Sequence, residues 1–204
     1  MELSLQGIGK RFGKDWIIKD VNLQLPAASH TAITGANGSG KSTLMKIIAG
    51  FLSPTKGKIN HHPIDKEAFF KEVSIVAPYL DIYRDLDMKQ QLRFHFSMRD
   101  YVQGMDEAAL IDMLSLPYDR PISSFSSGMV QRLKIGLALS TQSSILLLDE
   151  ACMNLDRSAM DWYASSMKRL AGDRIVIVAS NTEGLETETC SRRFRIEELN
   201  LTKT

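Results

Sequence analysis

A glycine-rich run that ends in a lysine and two hydroxyl residues is the part of this sequence best suited to chemistry. Residues 35–43 read Gly-Ala-Asn-Gly-Ser-Gly-Lys-Ser-Thr and fit the phosphate-binding pattern G-x-x-x-x-G-K-[ST]. Glycines let backbone N–H groups face phosphate oxygens, and a helix starting there adds the positive end of its dipole. Lys41 would reach the β and γ phosphates of a nucleotide, and the Ser42 hydroxyl would ligate Mg²⁺. The candidate nucleotide-binding residues are Gly35, Ala36, Asn37, Gly38, Ser39, Gly40, Lys41, Ser42 and Thr43.

Two adjacent carboxylates later in the chain could complete such a site. The apolar run 145–148 is followed directly by Asp149 and Glu150. Asp149 suits the coordination shell of Mg²⁺, and Glu150 suits the base that polarises or deprotonates an attacking water. An apolar strand ending in two acids is common by itself. Downstream of a phosphate-binding loop, we interpret it as the second half of one catalytic site.

A third segment is rich in small polar residues and opens a helix. Residues 123–132 read Ser-Ser-Phe-Ser-Ser-Gly-Met-Val-Gln-Arg, and a helix N-terminus of this kind can bind an anion. On these residues alone, an ordinary capped helix is the better interpretation. The segment gains meaning only from its position between the phosphate-binding loop and the two acids.

A scaffold of alternating strands and helices is needed to bring these groups together. β-branched, continuously apolar runs such as 175–178 are typical of parallel strands covered on both faces. The alternation therefore predicts an α/β fold. The predicted core strands cover residues 30–34, 73–77, 145–148 and 175–178, and the predicted helices cover 44–49, 128–140 and about 158–171.

Two other regions follow different patterns. Residues 1–25 alternate apolar and polar side chains, which predicts antiparallel strands with one solvated face. Residues 80–120 carry helical spacing, with Asp87 and Asp106 as candidate N-caps, and we interpret them as a helical insertion.

Composition narrows the class further. The chain has 204 residues, 44% of them hydrophobic, and a formal net charge of +1, so no overall basic field suggests nucleic acid as a partner. The arginines at 192, 193 and 195 fit a solvated strand edge better than a binding patch. No apolar run approaches the roughly 20 residues that span a bilayer, the N-terminus has no signal-peptide pattern, and Cys152 and Cys190 are far apart in sequence. We expect a soluble cytoplasmic chain.

Taken together, the motifs resemble those of the ATP-binding subunits of ABC transporters over nearly the whole length. Phe125-Ser126-Ser127-Gly128-Met129 is similar to the family signature Leu-Ser-Gly-Gly-Gln, and Asp149-Glu150 matches the Walker B pair. Met153-Asn154-Leu155-Asp156 matches the D-loop, which contributes Asp156. Phe12 lies where the family stacks an aromatic ring on adenine.

The resemblance implies a single domain of known organisation. That fold is an α/β P-loop NTPase (RecA-like) core with a mixed sheet, an N-terminal antiparallel β-subdomain and a small helical subdomain. Applied to residues 1–204, it places the β-subdomain and core at 1–79 and 141–204, and the helical subdomain with the signature at 80–140.

The resemblance also implies a function and partners. Two ABC ATPase subunits, identical or different, would enclose ATP and Mg²⁺, with the signature residues Ser126, Ser127, Gly128 and Met129 contacting the ATP held by the partner subunit. ATP hydrolysis would then drive substrate transport through a separate integral-membrane permease. A groove near Pro78–Asp87 would receive that permease and hold the subunit on the inner membrane.

Three departures from the family pattern bear on the rate of hydrolysis. Asn181 stands in place of the usual histidine, and an amide cannot carry its charge. Ser127 and Met129 replace a glycine and the glutamine of the signature, and a serine would be strained if position 127 needed a positive φ. Tyr79 stands where the family has a glutamine that contacts Mg²⁺. We therefore expect slow ATP hydrolysis, with Glu150 and Asn181 as the catalytic candidates.

Two rival functions stay open at this stage. One is a soluble ABC-type ATPase acting in DNA repair, chromosome maintenance or translation, although such chains usually carry coiled coils, tandem ATPase domains or basic arms. The other is a regulatory subunit that binds ATP and hydrolyses it rarely, which the Asn181 and Tyr79 departures favour.

Overall fold

A computed structural model describes residues 1–62, 68–181 and 184–199, and these residues form two β-sheets and six α-helices. The strands are β1 (Glu2–Phe12), β2 (Asp15–Leu25), β3 (His30–Thr34), β4 (Lys56–His62), β5 (Val73–Val76), β6 (Ile145–Asp149), β7 (Ile175–Ser180) and β8 (Arg192–Arg195). The helices are α1 (Lys41–Ile48), α2 (Met88–Phe96), α3 (Glu107–Leu114), α4 (Ser127–Ser140), α5 (Arg157–Leu170) and α6 (Ile196–Leu199). The predicted α/β fold with an antiparallel N-terminal sheet is confirmed.

The first sheet is antiparallel, as the alternating N-terminal pattern predicts. Its order is β2-β1-β4, so β1 pairs with both neighbours. Inward-facing aliphatic residues of β1 and β2, such as Leu5 and Ile18, are buried against the rest of the molecule. The long β1–β2 hairpin leaves Phe12 at its tip, 50% exposed.

The second sheet is parallel, with strand order β5-β6-β7-β3-β8. Its central strands β6 and β7 are buried throughout, which is what strands covered on both faces require. The register aligns Asp149 with Ala179 and Thr34 with Ser180. The loops after β3, β6 and β7 therefore lie side by side at the carboxyl ends of these parallel strands. The three arginines lie on β8 at the far edge, as predicted.

Helices α2 to α4 share a hydrophobic cluster of their own. It contains Met88, Leu92, Leu110 and Leu133, all buried. Asp87 and Asp106 cap α2 and α3 as predicted, each accepting a hydrogen bond from a backbone N–H three residues later.

Regular helix within the predicted insertion is limited to α2 and α3, and turns occupy much of the rest. The division of the chain into subdomains at residues 80 and 140 stays a prediction. Residues 63–67, 182–183 and 200–204 lie outside the part of the chain that the structure describes.

Within the described residues, no helix combines the length and apolar character needed to cross a bilayer.

Candidate functional site

The glycine-rich loop lies between β3 and α1, where the sequence predicts it. Gly40 is the N-cap of α1, with φ of 106°, a conformation that favours glycine. A Cβ atom at Gly40 would also lie 3.2 Å from the carbonyl oxygen of Ile17. The backbone can therefore turn into the helix here only because residue 40 has no side chain. α1 consequently begins at Lys41, three residues earlier than predicted.

A cavity of about 450 Å³ opens over this loop. Lys41, itself buried, donates from Nζ to the carbonyl oxygens of Gly35 and Ala36, at 2.8 and 3.0 Å. Both acceptors of these hydrogen bonds are backbone carbonyl oxygens of the loop, which therefore hold the ammonium group in place. The residues lining the cavity are Phe12, Ile17, Asn37, Gly38, Gly40, Lys41, Ser42, Thr43 and Glu150.

Asp149 is fully buried at the end of β6, close to α1. Both of its carboxylate oxygens are without a hydrogen bond of normal geometry, an expensive arrangement for a buried charge. Burial raises the pKa of Asp149, and the negative charge of Glu150 adds to that rise. A hydrogen bond from the Ser42 hydroxyl and the positive charges of Lys41 and Lys46 lower the same pKa and so oppose the rise. This carboxylate is therefore suited to receive a cation beside Ser42.

Glu150 follows in a strained conformation. Its φ is +49°, in the left-handed region that costs a residue other than glycine on the order of 1–3 kcal/mol. Its N–H donates to the carbonyl oxygen of Ala179 at 2.8 Å. This backbone geometry turns the Glu150 side chain to the wall of the cavity.

Asn181 and Tyr79 flank this arrangement. The Asn181 amide Nδ2 donates to Oδ1 of Asn37, at 3.4 Å, so the amide lies beside the phosphate-binding loop. The Lys46 ammonium lies 4.0 Å from the centre of the Tyr79 ring, within cation–π range. Burial raises the pKa of Tyr79, and Asp149 adds to the rise, so its hydroxyl stays protonated near neutral pH.

The signature segment lies outside the loop cavity, although Ser127 lines a smaller cavity of about 240 Å³ together with Glu150. Ser126 is the N-cap of α4, and its Oγ accepts a hydrogen bond from the Met129 N–H at 3.2 Å. Ser126 and Ser127 are exposed. Ser127 begins the helix and therefore needs no positive φ, so the strain considered for that position does not arise. None of residues 126–129, all of which the structure describes, lines the loop cavity.

Comparison with known proteins decides the family. The profile of the ABC transporter family matches residues 18–153, which is most of the chain. This chain is an ABC transporter ATP-binding domain. It is 30% identical over 182 residues to the sulfate/thiosulfate import ATP-binding protein CysA of Synechocystis, a match that covers 83% of this chain and 50% of CysA. The chain thus spans about half the length of that relative.

Matches to other proteins cover a larger share of the matched protein's length. The match to the lantibiotic transport ATP-binding protein SrtF of Streptococcus pyogenes is 30% identical over 185 residues and covers 88% of this chain and 79% of SrtF. The fold is similar to that of a bacterial ABC transporter cassette solved as a dimer, with a TM-score of 0.79 and 20% identity, over 95% of this chain and 93% of that one.

Asp156, in the segment that matches the D-loop, is the N-cap residue of a helix. It caps α5, where its Oδ1 accepts from the Ala159 N–H at 2.8 Å. Nearby, the backbone of Asn154 approaches the signature, because a Cβ on Gly128 would lie 3.2 Å from the Asn154 carbonyl oxygen. The D-loop and the signature are therefore neighbours on one face.

A second cavity of about 400 Å³ lies between the parallel sheet and the helical segment. Leu80, Asp81 and Ile82, from the predicted groove segment, form part of its wall. The other lining residues include Phe51, Phe70, His95, Arg99 and Lys134.

His95 gives this groove a neutral base. Its Nε2 lies 2.8 Å from Oγ1 of Thr141. Burial lowers the pKa of His95 to about 4, and Arg99 contributes to that shift. The groove therefore presents the charges of Arg99 and Lys134 near neutral pH without a charged imidazole.

Sequence reasoning missed three residues that the fold brings to the site. Ile17 lines the loop cavity from β2, and Lys46 lies between Asp149 and Tyr79. Glu186 accepts a hydrogen bond from the backbone just after Glu150. Only the i, i+4 spacing of Ser42 and Lys46 on α1 gave a usable signal.

Proposed function

We propose that this chain binds and hydrolyses ATP, pairs with a second ABC ATPase subunit around the nucleotide, and powers transport through a separate membrane permease. The observation that carries the proposal is the convergence of Lys41, Ser42, Asp149 and Glu150 at the carboxyl ends of the parallel strands, while the exposed Ser126 and Ser127 lie outside the loop cavity. This chain alone supplies only half of an enclosed site.

ATP would lie along the loop cavity, with its triphosphate on the start of α1. Backbone N–H groups of the loop would bind the phosphates, and Lys41 would move from its carbonyl partners to the β and γ phosphates. The half-exposed Phe12 ring at the cavity edge would stack on adenine.

Mg²⁺ fits the residues at the end of β6. The two buried, unpartnered oxygens of Asp149 and the Ser42 hydroxyl are the hard oxygen ligands that this ion prefers. Bound there, the ion would neutralise charge on the β and γ phosphates. We propose that Asp149 binds Mg²⁺ directly or through a water molecule. Because position 79 is a tyrosine, the glutamine amide that the family usually supplies to this ion would be missing.

Glu150 would act as the base. Its position on the cavity wall allows its carboxylate to accept a proton from water attacking the γ phosphate. Asn181, beside Asn37, can donate a hydrogen bond to phosphate but cannot supply a positive charge. The result would be real but slow turnover.

The second subunit would close the site. The helix start that could meet the γ phosphate on the partner consists of the exposed Ser126 and Ser127 and the partly buried Gly128 and Met129. Asp156 and its loop lie on the same face. A dimer is also the state in which the similar cassette was solved.

The groove between sheet and helical segment is the proposed permease site. Its apolar wall includes Phe51, Phe70 and Ile82, and Arg99 and Lys134 add positive charge. Since Asp81 is engaged by Arg84 at 3.1 Å, the groove suits a short helix carrying apolar side chains and a carboxylate. Through that contact the subunit would sit on the cytoplasmic face of the inner membrane.

Co-purification from detergent-solubilised membranes tests this function. Phe70 is 64% exposed in the groove, and Met98 is 60% exposed but does not line it. Wild-type protein and Met98→Glu are expected to recover a multi-span membrane protein, and Phe70→Glu is expected to lose it. Recovery of nucleic acid instead, or equal recovery by both variants, would argue against the groove and its partner.

The regulatory alternative predicts a different ratio of binding to turnover. Asn181 and Tyr79 are the observations that favour it. Micromolar ATP affinity with no turnover, even with the membrane partner bound, would support a sensor over a motor.

A further inference from the structure

The carboxylate of Glu186 faces inward, toward the backbone that follows the proposed base. Glu186 lies in a 3₁₀ turn, Leu185–Thr187, shortly after β7. Its Oε1 accepts a hydrogen bond from the Cys152 N–H at 3.2 Å, and the Ala151 N–H also donates to this carboxylate. Two successive amides after a left-handed residue form a concavity suited to an anion. Here the protein supplies the anion itself.

The same carboxylate reaches the neighbouring strand end. The Ser180 hydroxyl donates to Glu186, and Ser180 directly precedes Asn181. Glu186 therefore contacts residues adjacent to both Glu150 and Asn181. The backbone hydrogen bond from the Glu150 N–H to the Ala179 carbonyl oxygen also joins these two strand ends.

A side chain of α4 also holds the turn after Glu150. Nε2 of Gln131 on α4 donates to the Ala151 carbonyl oxygen at 2.6 Å. The backbone around Ala151 thus makes hydrogen bonds both to the Glu186 carboxylate and to the Gln131 side-chain amide. This clamp accounts for how a left-handed glutamate persists at the end of β6.

We propose that Glu186 is a positioning residue for hydrolysis, whose carboxylate holds the turn after β6 and so aligns Glu150 with Asn181 and the phosphate-binding loop. The proposal rests on the proposed role of Glu150. Because Glu186 does not line the loop cavity, its loss should affect the chemical step and leave ATP binding intact.

The test compares Glu186→Ala and Glu186→Gln with Glu188→Ala, a control at an exposed carboxylate two residues along. Glu186→Ala is expected to lower kcat on the order of 10- to 100-fold, the usual effect of a small misplacement, with ATP affinity unchanged within about twofold. Glu186→Gln keeps one acceptor for the Cys152 N–H and should recover part of kcat. The Glu188→Ala control should match wild type.

A second readout follows the geometry itself. Hydrogen exchange of the Ala151 amide should accelerate at least about tenfold in Glu186→Gln, because the single remaining carbonyl oxygen stays with the Cys152 N–H, while exchange of the Cys152 amide and of β6 is little changed. This variant is nearly isosteric and tests the proposal even if Glu186→Ala fails to fold. Unchanged kcat and exchange in Glu186→Gln would overturn the positioning role, as would equal losses of kcat and ATP affinity.

Glu150→Gln measured in parallel separates this proposal from the one beneath it. If Glu150→Gln is inactive while the Glu186 variants keep full activity, only the positioning role fails. If Glu150→Gln keeps wild-type turnover, the proposed base itself is wrong.

Discussion

At the scale of single residues, the departure that most affects the proposed chemistry is Asn181. Its amide lies within reach of Asn37 on the phosphate-binding loop, and with ATP bound as proposed it would lie near the γ phosphate. What it lacks is charge, because an amide can donate a hydrogen bond but cannot be protonated near neutral pH. In the proposed mechanism, Asn181 would therefore keep a hydrogen bond to phosphate but contribute no charge.

Asn181→His is expected to increase ATP turnover. A positioned donor that stabilises transition-state charge contributes roughly 100-fold or more, and the variant should approach that gain at saturating Mg-ATP in a phosphate-release assay. Asn181→Ala serves as the control and should bind ATP with little change in affinity. No gain with histidine would show that Asn181 does not limit the rate of hydrolysis.

Some of the other site residues can be predicted from sequence motifs, and others cannot. The loop from Gly35 to Thr43 and the Asp149-Glu150 pair are contiguous motifs, and their placement at one sheet edge follows from the parallel order of the strands. Their catalytic roles stay predictions. Glu186 could not be found in this way, because its contact with Cys152 joins segments that only the fold brings together.

At the scale of elements, a buried arginine joins the ends of two helices. Arg174, just before β7, donates to the carbonyl oxygens of Leu139 near the end of α4, and of Leu170 and Ala171 at the end of α5. Helix C-termini present unpaired carbonyls and the negative end of the dipole. Burial lowers the pKa of Arg174 to about 10, so the guanidinium stays charged and caps both helices.

Arg174→Met should destabilise the fold by about 2–4 kcal/mol, because it leaves several buried carbonyls without donors. Urea unfolding monitored by circular dichroism measures the change. Arg169→Met, at an exposed position in the last turn of α5, is the matched control and should change stability by less than about 0.5 kcal/mol. Similar effects in both variants would contradict the capping role.

Elements with strong periodicity were predictable, and those fixed by packing were not. The β-branched strand β7 and the capped helices α2 and α3 follow from local sequence. The early start of α1 at Lys41 depends on a glycine N-cap with positive φ, which residue pattern does not reveal. The turns around α2 and α3 are fixed by contacts with α4 and by the shared hydrophobic cluster.

At the scale of the whole molecule, the proposed function depends on a loop cavity that the signature residues of the same chain do not line. The loop cavity and the exposed signature are separate, while the D-loop lies beside the signature. If a second subunit brings its signature to the cavity, the γ phosphate would contact both chains and favour the closed state. Release of that phosphate would then reopen the pair and move whatever occupies the groove.

The assembly state of Glu150→Gln in the presence of ATP tests this account most directly. Light scattering coupled to size exclusion should show a monomer without nucleotide or with ADP, and a dimer at saturating Mg-ATP with hydrolysis abolished. Adding Ser126→Arg should prevent the dimer while single-chain ATP binding is unchanged. Glu150→Gln protein that binds ATP yet stays monomeric, both alone and together with its membrane partner, would contradict the central claim.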